Sequence, residues 1–354
     1  MKRLSPEELE WAIRHQRKVE TKRDRRRKRR GRTKSRQVIA SNPYFISVPS
    51  TFCLYDRQNC EQSLRFIQHV ESLAQESTRR LTLDFRQCKR ATAAAILCLH
   101  GRLAVIKMMN NREQPARFIA NAGTPVGTIL NATGFLKDST DFPHGEELIA
   151  RMLPIRTGVS GAHAIPQLIK DMDVAFYSGE LDEDLTKKSL LKKSISEAML
   201  NVSHHAYQDA SAAFLAAVGK RWWLVGTQFG EQLYFVFYDM GVGIPNTLPK
   251  HSHWEQIQMT FHALVGHGHD SAMIKAATEI GRSKFQIGGH GWGLRDVMNF
   301  AAENPEGTLW IFSSHGLYKY ESTTHSESLQ EHKGNVKGTL IQWNVSLKQY
   351  GVQQ

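Results

Sequence analysis

Cysteine is scarce in this chain. Cys53, Cys60, Cys88 and Cys98 are the only four in 354 residues, and no two form a CxxC pair. That spacing offers neither a disulfide framework nor a paired metal ligand set, so free thiols in a reducing cytoplasm are expected. Long apolar runs are lacking too. The longest, residues 91–106, is interrupted by His100, Gly101 and Arg102, which makes it too short and too polar to span a bilayer. The first residues lack an apolar h-region, so no secretory signal is expected. Nor is there a GxxxxGK[ST] phosphate loop.

Hydrophobic residues make up 41% of the chain and charged residues 23%, the balance of a soluble globular protein long enough for two domains. The net charge of +12 is unevenly spread. Residues 1–37 hold 16 Lys/Arg against 5 Asp/Glu, and the rest holds 30 against 29. Ser5-Pro6-Glu7-Glu8 reads as a helix start, with Ser as cap and acids near the positive helix end. The run from Lys22 to Arg30 has no apolar face and repels itself, so an extended tail is expected until a partner supplies negative charge.

Residues 38–140 change character. Strands are expected at 44–48, 81–85 and 116–120. Helices are expected at 59–76, where Leu64, Ile67, Val70 and Leu73 keep helical spacing, at 91–109, and at 125–133 before Gly134. This β-α-β-α-β-α order predicts helices packed on a sheet. The "LTLDF" strand, the small-residue helix after it, "ARFIA" and "TPVGTILNATGFLK" resemble the STAS domain of anti-sigma-factor antagonists. That family often carries Asp-Ser at the start of its second helix, where the serine is phosphorylated. Here the stretch is Ala91-Thr92-Ala93-Ala94, and Thr92 is the one hydroxyl nearby. Residues 141–184 read as a connector, with helical periodicity at 145–153 and 165–177.

The chemistry lies in residues 185–350. The first motif is Glu197-Ala198-Met199-Leu200-Asn201-Val202-Ser203-His204-His205-Ala206-Tyr207. On a helix, Glu197, Asn201 and His205 fall on one stripe. Asn201 can offer a hard oxygen to magnesium, and a carboxylate one turn away can orient or deprotonate a water or hydroxyl. An amphipathic helix with a polar face would show the same stripe. The second motif, Tyr238-Asp239-Met240-Gly241-Val242-Gly243-Ile244-Pro245, follows an apolar strand at 233–237. It places Asp239 at a strand end, able to accept a hydrogen bond from an adenine amino group, beside glycines that let backbone approach. The third, Gly288-Gly289-His290-Gly291-Trp292-Gly293-Leu294, leads into a helix at 295–302, and unpaired amides at a helix start favour anions. Residues 282–287 form no buried strand before it, which excludes a Rossmann reading. Gly338-Thr339 opens a last apolar strand at 340–347.

In this order the motifs resemble the N, G1 and G2 boxes of the GHKL, or Bergerat, histidine kinase-like ATPases, closest to the anti-sigma serine-kinase branch. The resemblance implies an α/β fold: a Bergerat α/β sandwich behind a STAS-like α/β domain. ATP and magnesium are the implied cofactors, with Glu197 as catalytic base and Asn201 as the magnesium ligand. His205, Tyr207, Asp239, Gly241, Gly243, Lys284, Gly288, Gly291, Gly293, Leu294 and Thr339 would line the nucleotide. Residues 246–287 would form a loop-rich lid, in which Arg282 and Ser283 could also touch phosphate. His251, His253, His262, His267 and His269 in that lid match no zinc-ligand spacing. Trp222-Trp223 opens a strand and reads as core.

The expected activity is a cytoplasmic regulatory ATPase or serine/threonine kinase with a protein-binding STAS-like module in cis. The alternative is a non-catalytic switch whose ATP-driven closure changes a protein or nucleic-acid interface. Residues 14–36 could attract phosphate backbones, although no aromatics interleave the charges. A homodimer is allowed, and no membrane is expected. A chaperone- or repair-type ATPase would need a transducer domain after residue 347, and few residues follow it.

Overall fold

The computed structural model describes residues 44–111, 113–135, 152–160, 164–176, 185–229, 232–250, 254–264, 266, 268–279, 293–304 and 306–346. The chain divides into two compact units, residues 1–46 and 47–354; a short strand at Phe45–Ser47 begins in the first, and every later element lies in the second. The fold is mixed α/β.

After a short strand β1 (Phe45–Ser47), the first layer runs β2 (Thr51–Phe52), α1 (Arg57–Glu76), β3 (Leu81–Asp84), β4 (Arg90–Ala91), α2 (Ala93–Met109), β5 (Ala116–Ile119) and α3 (Pro125–Ala132). The β-α-β-α-β-α order expected of this stretch is present, with two-residue strands added. Strand β3 pairs in parallel with β5, and all four of its residues are buried. A strand covered on both faces has no reason to alternate, hence Leu-Thr-Leu-Asp. Caps set the helix starts. Asp56 accepts from the Asn59 amide at 2.9 Å, Thr92 from the Ala95 amide at 3.4 Å, and Thr124 from the Gly127 amide at 3.1 Å. Thr92, the hydroxyl expected near a phosphorylation position, is thus the N-cap of α2.

The second layer is a seven-stranded sheet, antiparallel at every pair, in the order β11-β10-β9-β12-β8-β7-β6. Its strands are β6 (Met152–Val159), β7 (Arg221–Phe229), β8 (Gln232–Asp239), β9 (Thr308–Ser313), β10 (Gly316–Glu321), β11 (Ser326–Glu331) and β12 (Thr339–Ser346). Helices α4 (Ala164–Phe176), α5 (Leu185–Asn201) and α10 (Gly293–Glu303) cover one face of it, joined at its margin by the short α6 (Ala212–Ala217). Helical periodicity at 145–153 does not hold where it can be seen: Met152 and Leu153 belong to β6, while residues 145–151 lie outside the described residues. The 165–177 helix is α4. The expected loop-rich stretch 246–287 is largely helical where described. Helices α7 (Ile244–Thr247), α8 (Trp254–Leu264) and α9 (His269–Glu279) run through it, and every residue of α9 from Ser271 to Thr278 is buried.

Period-two alternation divides the sheet's side chains. Leu233, Phe235 and Phe237 of β8, Trp222 and Leu224 of β7, and Ile341 and Trp343 of β12 pack with Ile195, Ala198 and Val297 from the covering helices. Trp223, Val225, Val236, Tyr238 and Leu340 point the other way, and they too are buried. Their cover is α2. A Cβ on Gly101 would meet the Tyr238 ring at 2.7 Å and Trp223 at 3.5 Å. Helix α2 is therefore buried almost all round, from Ala94 to Ile106, as a helix apolar on every side must be. Among the described residues no helix is long and apolar enough to cross a membrane.

Candidate functional site

Alternation along β8 carries the inward face from Phe237 to Asp239, so a carboxylate ends the strand on the helix-covered side, only 5% exposed. Its Oδ1 accepts from the Gly241 amide at 2.8 Å, and the Thr339 amide from the paired strand β12 also donates to it. These two donors favour the ionised form, but desolvation outweighs them and raises the Asp239 pKa from 3.8 to about 7.

Facing it, α5 ends at Asn201 and widens into a single π-type turn, Val202–Ala206. Such turns free backbone groups and recur at functional sites. The freed groups are used: Lys220 Nζ donates to the Ser203 carbonyl, and the Ala206 carbonyl accepts from the Val242 amide at 2.8 Å. Gly241 allows that docking, since a Cβ there would stand 2.1 Å from the Ala206 oxygen. Tyr207 ties the same corner together. Its hydroxyl donates to the Arg221 carbonyl at 2.6 Å and accepts from the Met240 amide at 3.0 Å. Burial, then the neighbouring Asp239 carboxylate, push its pKa upward, so it remains a neutral donor.

Between these elements lies a cavity of about 110 Å³. Phe237, Ile341, Ala198 and Leu294 give it apolar walls, while Asp239, Thr339, Asn201 and His205 supply polar groups. Thr247 and Leu248 close it from the segment after β8, and Ala277 from α9. Few polar groups on an apolar surface is the usual make-up of a small-molecule pocket.

The structure thus brings Asn201, His205, Asp239, Gly243, Leu294 and Thr339 to one cavity, as the sequence reading grouped them. Glu197, Tyr207 and Gly241 are not part of its wall. Tyr207 and Gly241 instead hold the corner behind it, and Glu197 is half-buried on α5 one turn before Asn201. Gly293 is the first residue of α10, and Lys284, Gly288 and Gly291 lie outside the described residues, as do Arg282 and Ser283. Among the described residues no three His, Cys, Asp or Glu side chains gather as a metal site.

Sequence reading missed Ser313. Fully buried at the end of β9, its hydroxyl accepts from the Ile244 amide at 2.9 Å, donates to the Gly338 carbonyl at 3.0 Å and lies 3.1 Å from Thr339 Oγ1. It joins three segments of the cavity rim, and the first serine of "FSSHG" carries no signal of this. Lys220 was missed for the same reason.

No protein-family profile matches the chain, and no curated protein sequence is significantly similar to it.

Proposed function

We propose that the cavity binds ATP in the manner of the GHKL or Bergerat ATPases, and that the protein is a regulatory ATPase or serine/threonine kinase carrying a STAS-like layer in cis. One observation carries the reading: a buried carboxylate, Asp239, ends a strand inside an apolar cavity that Asn201 enters from the facing helix. Asp239 suits the exocyclic amino group of adenine, with Thr339 beside it and Phe237 and Ile341 against the faces of the ring. Asn201 fits a magnesium ion, which takes hard oxygen ligands and keeps several waters, so one amide oxygen and the nucleotide's phosphates suffice. When bound, the ion would neutralise charge on the phosphates.

Glu197, one helical turn from Asn201, would take the proton of an attacking water or hydroxyl. The oxygen so freed bonds to the terminal phosphorus, the bond to the bridging oxygen breaks, and ADP leaves with that electron pair. All four cysteines are free and buried, which fits a cytoplasmic site of action. A STAS-like layer would supply a protein-binding surface, and the basic tail, residues 14–36, a contact for nucleic acid or an acidic protein.

Incubation with γ-labelled ATP, alone and with lysate, separates the activities: label on a protein means kinase, and free phosphate means ATPase. Glu197→Ala should abolish turnover and leave binding intact. A second reading, binding without turnover, is favoured by the position of Glu197 outside the cavity wall, and predicts neither product. Failure of the purified chain to bind ATP would remove both readings.

A further inference from the structure

Residues 332–338, between β11 and β12, have no regular structure but are held almost residue by residue. The Lys333 amide donates to Glu61 Oε1 at 2.6 Å. Gly334 lies so close to α1 that a Cβ would stand 2.5 Å from that of Leu64. Arg102 Nη2 donates to the Asn335 carbonyl, while its Nη1 pairs with Glu71 Oε2 at 2.8 Å. The Tyr238 hydroxyl lies 3.0 and 2.9 Å from the carbonyls of Val336 and Lys337 and shares its one proton between them. Lys337 Nζ reaches the other oxygen of Glu71 at 2.9 Å. Lys337 and Gly338 both have positive φ, 51° and 88°, and a Cβ on Gly338 would lie 2.0 Å from the Asp239 carbonyl.

Glu61, Glu71 and Arg102, three of these anchors, come from α1 and α2 and not from the sheet that bears the cavity. The next residue along the segment is Thr339, whose amide donates to the Asp239 carboxylate and which lines the cavity. Arg102 is completely buried and Glu71 nearly so. An ion pair in such a place is often replaceable by apolar residues without loss of stability, so stability alone is a weak reason for it. What a guanidinium adds is direction, because its planar fork fixes two partners in one geometry.

We propose that Arg102 is a positioning residue for the cavity: from α2, behind the sheet, it fixes residues 332–338 and so sets Thr339 beside Asp239, coupling the α1–α2 layer to the ligand site. This rests on the cavity being a nucleotide site only for the identity of the ligand. Coupling is reciprocal, so a ligand that needs Thr339 in place also steadies α1 and α2.

The test uses the full chain and two readouts, amide hydrogen exchange and ATP affinity. Arg102→Lys keeps the charge and loses the fork; Glu71→Leu with Arg102→Met fills the space without polarity. In both, the amides of residues 335–339 should exchange about tenfold faster or more, while those of central β8 keep wild-type protection. ATP should bind about 5–30-fold more weakly, within the usual range of coupling between sites. Lys337→Met, which changes a half-exposed side chain, should act in the same direction and less strongly. A folded Arg102 variant with wild-type exchange at Thr339 would overturn the proposal. Should the Arg102 variants not fold, unchanged exchange in Lys337→Met would overturn it too. If the wild-type chain binds no ATP, the nucleotide reading fails, and the exchange data still decide the coupling.

Discussion

Replacing Asp239 with Asn should make the ligand-free protein more stable at pH 8 and less stable at pH 4. The unfolded chain ionises this carboxyl near 3.8, whereas the folded chain holds the proton until about pH 7. Below 3.8 both states are protonated and nothing is lost. As pH rises from 3.8 to 7 the unfolded state gains progressively, and above 7 the penalty is constant. A displacement of that size costs about 4 kcal/mol, at about 1.4 kcal/mol per tenfold change. Asn escapes that penalty. It keeps one acceptor oxygen but offers N–H groups where the carboxylate had a second, and one mispaired buried hydrogen bond costs about 1–3 kcal/mol. The net gain at pH 8 is therefore about 1–3 kcal/mol, turning into a loss of similar size at pH 4. Urea unfolding of both proteins at pH 4, 6 and 8 measures it. A stability difference that stays the same across that range would refute the argument, because burial of a charge could not then be its source. ATP binding should show the opposite preference. Asp239→Asn removes the anionic acceptor and should weaken binding at pH 8, and in the wild type affinity should fall as pH drops below about 7.

Other substitutions probe the same corner. Gly241→Ala drives a methyl group into the Ala206 carbonyl and should cost about 2 kcal/mol or more, read as a lower urea midpoint with unchanged slope. Asn201→Ala should reduce magnesium-dependent ATP affinity by at least about tenfold, while magnesium-free binding changes little, which titration calorimetry can separate. His332 is buried against Phe312 and 4.0 Å from Glu61, and desolvation lowers its pKa although Glu61 opposes this. Its folded pKa being depressed, stability should fall as pH drops through 6.5, where the unfolded chain takes the proton first. His332→Phe, which keeps the ring stacking, should remove that loss between pH 7 and pH 5 in thermal melts.

Much of the site is written in local patterns. Alternation through Leu233, Phe235 and Phe237 puts Asp239 on the helix-covered face, and the polar stripe of α5 brings Asn201 to the cavity, although His205 reaches it from the π-type turn and not from a continued α-helix. What was hidden depends on partners far along the chain. Strand β6 is an edge strand with a register shift between Leu153 and Arg156, which breaks the alternation that would have announced it. Helix α9 is rich in small residues, and its burial comes from packing against the β10–β11 side of the sheet and against α7, α8 and α10. The π-type turn after Asn201 has no residue preference to betray it. Ser313 and Arg102 act through backbone carbonyls, which any sequence possesses, so nothing in their neighbourhoods marks them.

Helix α2 has a consequence for how the protein is made. Its second apolar face rests on Trp223 and Tyr238, and the anchors of residues 335–338 complete that contact. During synthesis these partners follow α2 by roughly 110–240 residues, a delay of about ten to fifty seconds for the last of them at ribosomal rates. Throughout that interval the second face of the helix is without the partners that cover it. The growing chain should therefore engage chaperones early, and fragments ending before β12 should aggregate more readily than residues 1–354.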